Sequence, residues 1–269
     1  MKLDERRSEE QKQRETDRVL VLRTCAADLT SKNGFVWPSS GHVLCPDWAP
    51  TAECGHGLHG LLWGAGDGSL LDWSLDAKWL VVAVEPSQLV ALDGKVKFAA
   101  GEVVHCGDQA SATAFLSRDP RAICVVGGTS TSGARGTSIS GARGTSISGD
   151  WGTSTSGDGG TSISGDWGTS TSGDGGTSTS GDGGTSTSGD WGTSTSGDGG
   201  TSTSGDWGTS TSGDGGTSIS GDGGELRIRW RDSRANRYRT VIAYVGENGI
   251  KPNVPYRLND VHEFVEVTP

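Results

Sequence analysis

"GTSTSGDWGTSTSGDG", residues 184–199, is two turns of an octapeptide that fills the middle of this 269-residue chain. The unit Gly-Thr-Ser-Thr/Ile-Ser-Gly-Asp/Ala-Gly/Trp/Arg recurs twelve times from Gly128 to Gly223 and never slips by a residue. Gly/Ser-rich segments are usually flexible coils, but a tether has no reason to keep a period. A fixed period marks a stacked architecture. Thr or Ile at places two and four alternates with Ser at three and five, the period of a β-strand. Gly-Asp-Gly-Gly or Gly-Asp-Trp-Gly then supplies the tight turn. Eight residues cannot enclose an interior, whereas two octads make one coil of strand, turn, strand, turn. The reading is therefore a β-solenoid of six 16-residue coils with two octapeptides each. At about 4.8 Å per rung it would be roughly 29 Å long. Ser at places three and five would line a narrow interior, and Thr at two and four would face out on both broad sides.

The rest of the chain has ordinary globular composition. Of the 45 glycines, 30 lie in the repeat block, which also carries ten Asp against two Arg. Its acidic surface argues against nucleic acid as a partner, because phosphate binding needs excess Lys and Arg. Residues 1–18 form a charge run expected to be a charged helix or disordered arm, with no apolar core for a Sec signal. Residues 19–127 read as a small α+β domain. Strands are expected around 18–24, 77–86, 95–107 and 121–128, and a short helix over 109–119. Residues 128–223 are the solenoid, and residues 224–269 a β-rich C-terminal cap. In the cap, "ELRIRWRDSRANRYRTVIAYVG" (225–246) reads as two strands around a Ser-Arg-Ala-Asn turn. Alternate Arg227, Arg229 and Arg231 share one face, leaving Leu226, Ile228 and Trp230 to cover the last rung. Binding of the arginines to an anionic surface is the alternative use. No apolar stretch is long enough for a membrane span.

Candidate chemistry falls in three places. His42, Cys45, Cys54, His56 and His59 offer five N or S donors within eighteen residues. They lack a clean pair of Cys-x-x-Cys motifs, so the expectation is turn and packing roles with no metal and no cofactor. No oriented third group completes a catalytic set around Cys54 or His59, so the chain reads as non-enzymatic. The five cysteines (25, 45, 54, 106, 124) are odd in number and irregular in spacing, which suits a reducing compartment. The chain is therefore expected to be cytoplasmic, or released or virion-associated without a Sec signal. Asp in ten of twelve turns would form two acidic ladders. Calcium is the sharper reading of these ladders and solvated turn carboxylates the plainer one. Trp151 and Trp167, and Trp191 and Trp207, are sixteen apart, which puts each pair on one edge where the rings can stack. The gap of 24 between the pairs puts them on opposite edges.

Written from its fifth place, the octad is Ser-Gly-Asp-Trp-Gly-Thr-Ser-Thr, as in Ser148 to Thr155. It resembles the Ala-Gly-Tyr-Gly-Ser-Thr-x-Thr repeat of bacterial ice-nucleation proteins. A Gly and the Thr-x-Thr pair keep their places, while Asp stands where that family has Tyr. The flanks at residues 54–73 and 238–250 are similar to those of bacterial and phage proteins of unknown function that carry comparable short arrays. The resemblance implies that outward Thr files order water or bind ice. The candidates are Thr153, Thr155, Thr169, Thr171, Thr185, Thr187, Thr201, Thr203, Thr209 and Thr211, with Ile139, Ile147, Ile163 and Ile219 interrupting the files. Six coils are far fewer than that family uses, so binding is expected rather than efficient nucleation. The expected partner is ice or another ordered surface, with self-association through the solenoid's ends or faces. The competing reading makes the solenoid a rigid spacer and the N-terminal domain the part that recognises a partner.

Overall fold

Backbone pairing between residues sixteen apart organises the second half of the molecule. The computed structural model describes residues 18–267. They fall in two compact units, one ending at Val126 and the other beginning at Gly127. The expectation for residues 1–18 therefore lies, apart from Arg18, outside the described residues.

In the second unit, twelve short strands run from β8 (Thr129–Thr131) to β19 (Thr217–Ser220), one per octad among the described residues. Each from β8 to β18 pairs in parallel and in register with the strand sixteen residues on, as Thr153↔Thr169 and Thr155↔Thr171. Alternate octads build two separate sheets. The expected solenoid of six 16-residue coils is the observed fold. Ser at place three is fully buried in every octad from Ser138 to Ser218, and Ser at place five nearly so. The interior is thus a narrow column of hydroxymethyl groups. Several span it, such as Ser186, whose Oγ donates to the Thr195 carbonyl. Place one is held to glycine by this packing: a Cβ on Gly152 would lie 2.7 Å from Ser148 Cβ.

Corners stack as regularly as strands. The N–H of each place-one Gly closes a β-turn on the place-six carbonyl, as Gly152 on Gly149 at 3.0 Å. The Asp side chain then reaches forward one coil. Asp150 Oδ1 accepts the Asp166 N–H at 3.1 Å, and Asp182 Oδ1 accepts the Asp198 N–H at 2.8 Å. The opposite edge repeats the ladder from Asp158 to Asp222. Place six is held to glycine by the coil before it: a Cβ on Gly165 would run into both Oδ1 and the backbone N of Asp150, and one on Gly149 would lie 2.7 Å from the backbone N of Ala134.

The C-terminal strands close the open end. β20 (Glu225–Asp232) continues the first sheet, with Leu226 and Ile228 in register with Ser210 and Ser212. Both are buried, so the serine column ends on an apolar plug. β21 (Arg237–Tyr244) folds back on β20 as a hairpin, and β22 (Tyr256–Leu258) with β23 (Phe264–Glu266) finishes the second sheet. Tyr256, Val245 and Ile250 pack with Leu226. Arg227, Arg229 and Arg231 share a face as expected, but Arg239 lies opposite Trp230 and so faces the other way. Glu225 and Asp232 take Arg227 and Arg239 into ion pairs at 2.7 and 2.6 Å.

The first unit is a seven-stranded antiparallel sheet with one α-helix among the described residues. Its strands are β1 (Val19–Cys25), β2 (Gly41–Leu44), β3 (Leu58–Leu62), β4 (Lys78–Val84), β5 (Leu89–Leu92), β6 (Lys95–Phe98) and β7 (Ala100–Gly107). Their order is β2-β7-β4-β1-β3-β6-β5. Helix α1 (Gln109–Leu116) is capped by Asp108, whose carboxylate accepts the Ser111 N–H at 2.8 Å. One expectation fails. Residues 121–128 form no strand up to Val126; Val125 and Val126 are buried in a loop, held by the Val126 N–H on the Gly64 carbonyl at 2.9 Å. Apolar side chains there serve packing without a ladder, which periodicity alone does not distinguish.

The backbone of the preceding coil excludes a side chain at place six: a Cβ on Gly181 would lie 2.7 Å from the Asp166 N. Gly181→Ala should therefore cost about 1–3 kcal/mol in urea melts of the full chain. In an Asp166→Ala background most of that cost should remain, since Gly149 and Gly157 meet the backbone of Ala134 and Ala142 as closely. Disappearance of the cost in that background would refute the backbone clash.

Candidate functional site

The sixteen-residue register decides which threonines meet. Thr153, Thr169, Thr185 and Thr201 form one file on the second sheet, with Thr155, Thr171, Thr187 and Thr203 beside it. Four consecutive Thr-x-Thr rungs therefore lie on one face. Ile139 flanks the run at one end and Ile219 at the other. Thr209 and Thr211, proposed as members of the same set, pair with Thr193 and Thr195 on the first sheet instead. They belong to the opposite face, because odd and even octads separate. On that sheet Thr177, Thr179, Thr193 and Thr195 complete a three-rung run, and Ile147 and Ile163 break the file before it. Counting octads by parity would have found these four residues from sequence.

Neighbouring hydroxyl and methyl groups repeat at about 4.8 Å along a file and about 6.6 Å across it. Thr169 and Thr185 are exposed, while Thr171 and Thr187 are half-buried between neighbours. Among the described residues, none of the hydroxyls in these files forms a hydrogen bond within the protein, in contrast to interior serines such as Ser146 and Ser186. Each is left to solvent. The face is an in-register lattice of small amphipathic groups.

The edges carry the tryptophans. Trp151 stacks on Trp167 with centroids 5.5 Å apart, and Trp191 on Trp207 at 5.7 Å. All four have φ between 56° and 59°, the left-handed region that half of the octads give to Gly. That conformation costs a non-glycine residue about 1–2 kcal/mol. Stacking returns about 0.5–1.5 kcal/mol. Each pair also rests on a glycine, since a Cβ on Gly183 would meet the Trp167 ring and one on Gly223 the Trp207 ring.

The turn aspartates prove to be structural acceptors, a role that neither the calcium nor the solvated reading contained. The His/Cys segment also resolves into separate partnerships. Cys45 and His56 both hydrogen-bond Asp47, each at 3.1 Å, and the thiol contact chiefly holds that carboxyl below its usual range. Cys54 receives Lys95 Nζ at 3.2 Å, and His59 Nε2 accepts the Gly55 N–H at 3.4 Å. His42 lies opposite Glu102 on the sheet. Among the described residues no three His, Cys, Asp or Glu groups are placed to share a metal ion.

With this geometry in hand, known proteins give a consistent comparison. The chain is 45% identical over 103 residues to the ice nucleation protein of Pseudomonas syringae. The repeat resembles those of bacterial ice-nucleation proteins. Ice nucleation protein InaU of Pantoea ananas is 41% identical over 102 residues, and the ice nucleation protein of Xanthomonas campestris pv. translucens 37% over 103. These matches cover 37–38% of this chain but only 7–10% of the relatives' own length. No family model and no solved structure matches the chain. The solenoid and these relatives together fit an ice-nucleation-like repeat scaffold. No helix among the described residues is long and apolar enough to cross a membrane.

Because each ladder carboxylate is satisfied by a backbone N–H of the next coil, the array needs no cation to hold its edges. Melting of the full chain should be the same in EDTA and in excess calcium. A calcium-dependent rise in melting temperature would contradict this account of the aspartates.

Proposed function

We propose that the chain is a non-enzymatic scaffold whose second-sheet threonines bind ice or an equally ordered layer of water. The observation that carries this reading is the unbroken run of four Thr-x-Thr rungs, in register and with no hydroxyl hydrogen-bonded to the protein. Regular spacing lets successive methyl and hydroxyl groups impose one repeat on the adjoining water. Stiffness supports it: a rung clamped by strand, corner and carboxylate bonds holds its side chains in place without further ordering cost on binding. The first sheet is the weaker candidate, since Ile147 and Ile163 interrupt its file. Four rungs span only about 14 Å, which suits adsorption to an existing ice surface better than nucleation, where a large template is needed.

The test is ice shaping and thermal hysteresis on the full chain and two double variants. Thr169→Lys with Thr185→Lys places two charges on the second sheet, and Thr177→Lys with Thr193→Lys places two on the first. Activity should be lost in the former and largely kept in the latter, with circular dichroism unchanged in both. Absence of activity in the unmodified chain, or full activity in the second-sheet variant, would overturn the proposal.

A further inference from the structure

The N-terminal unit holds a cavity of about 920 Å³, within the size range of small-molecule sites. It opens between the end of β1, the loop from Ala26 to Trp37 and the start of β3. Its wall combines Phe35, Trp37, Leu58 and Leu61 with the cations Arg23, Lys32 and Lys95 and the carboxylates of Asp28, Asp47 and Asp72. Arg23 is the unusual member. It sits on β1 between Val21 and Cys25, so strand alternation turns it toward the face that builds the apolar core. Its guanidinium carbon lies 5.0 Å from the Trp37 ring centroid, and Nη1 donates to the His59 carbonyl at 3.0 Å. Arg23 Nε and Trp37 Nε1 are both buried with no hydrogen-bond partner, and Trp37 itself is 2% exposed.

Around His59 the cations have no carboxylate bonded to them. Arg23, Lys95 and the fully buried Lys97 surround His59, and burial together with these cations holds the imidazole below its ordinary pKa. Lys97 Nζ is held by the Glu53 and Gly55 carbonyls at 2.8 and 3.3 Å. Among the described residues, none of the three cations forms an ion pair with a carboxylate. The acidic side chains that line the cavity are engaged locally. Asp28 accepts the Thr30 N–H at 2.9 Å and Asp72 the Ser74 N–H at 3.0 Å, while Asp47 takes Cys45 and His56. A half-buried guanidinium with no carboxylate bonded to it is costly unless something pairs with it.

We infer that this cavity binds a small organic anion, its oxyanion group on Arg23 and Lys95 and its planar apolar body against Phe35 and the leucines. Arg suits a carboxylate or phosphate because its planar fork donates two parallel hydrogen bonds. The site lies wholly in the first unit and stands or falls independently of the threonine files.

The probe is 8-anilinonaphthalene-1-sulfonate, titrated into the full chain by fluorescence, with neutral N-phenyl-1-naphthylamine as its uncharged counterpart. The expected result is one saturable site that prefers the sulfonate at least tenfold. Arg23→Gln should weaken it tenfold or more, and Lys95→Ala, at a half-exposed position, should weaken it several-fold with the melting curve intact. Arg234→Ala in the cap should leave it unchanged. Competition then separates the sources: displacement by benzoate assigns a carboxylate ligand, and displacement by inorganic phosphate a phosphate. Equal binding of the neutral probe, insensitivity to Lys95→Ala in a folded protein, or displacement by neither anion would overturn the inference.

Discussion

Everything in the second unit depends on each coil being unable to shift against the next. The interior is too thin to supply the usual hydrophobic anchor: where a globular core has leucine and phenylalanine, this one has two columns of serine. Order comes instead from bonds parallel to the solenoid axis. Parallel strand ladders supply them along the faces, turn amides along the edges, and the aspartate carboxylates add a third line outside. Each such bond is modest, about 1 kcal/mol net. Repetition makes them collective, as nearest-neighbour terms do in other stacked repeats. Apolar burial re-enters only at the C-terminal end, where Leu226 and Ile228 replace serine and a compact cluster forms beneath them.

The solenoid was legible from the sequence because its rules are local. Period, strand alternation and turn residues all point to the same 16-residue coil, and inward Ser and outward Thr follow from a two-residue period. The partition of Thr209 and Thr211 onto the other face follows from the same count once octads are numbered by parity. What the repeat did not reveal by eye was the reach of Asp150 to the Asp166 amide, since that bond joins residues that are neighbours only after stacking.

The N-terminal unit was less legible, for a physical reason. Its strands are joined by loops whose packing is nonlocal, and β2 and β3 are short. The segment from Cys54 to Trp63 drew attention for its histidines, yet its main structural role is to supply β3 between β1 and β6. Lys97 shows the same limit. Alternation on β6 puts it with Lys95 on the face opposite Val96 and Phe98, where a solvated lysine is expected, and nothing local announces one buried among backbone carbonyls. The cavity beside Arg23 likewise gathers residues from five separate stretches of chain.

The staggered tryptophan pairs have a further consequence for how such a chain reaches a single structure. Twelve nearly identical octads present many almost equivalent alignments, because sliding one segment by sixteen residues would again set Thr on Thr and Ser on Ser. A landscape of that kind favours trapped, misaligned states. Trp151 with Trp167 on one edge, and Trp191 with Trp207 on the other and two coils further along, break the equivalence. Any slip leaves an indole facing glycine where an indole should stand, and does so on both edges at different heights. The rings thus act as alignment marks, and their unfavourable backbone angle is the cost of giving a monotonous sequence one correct way to stack.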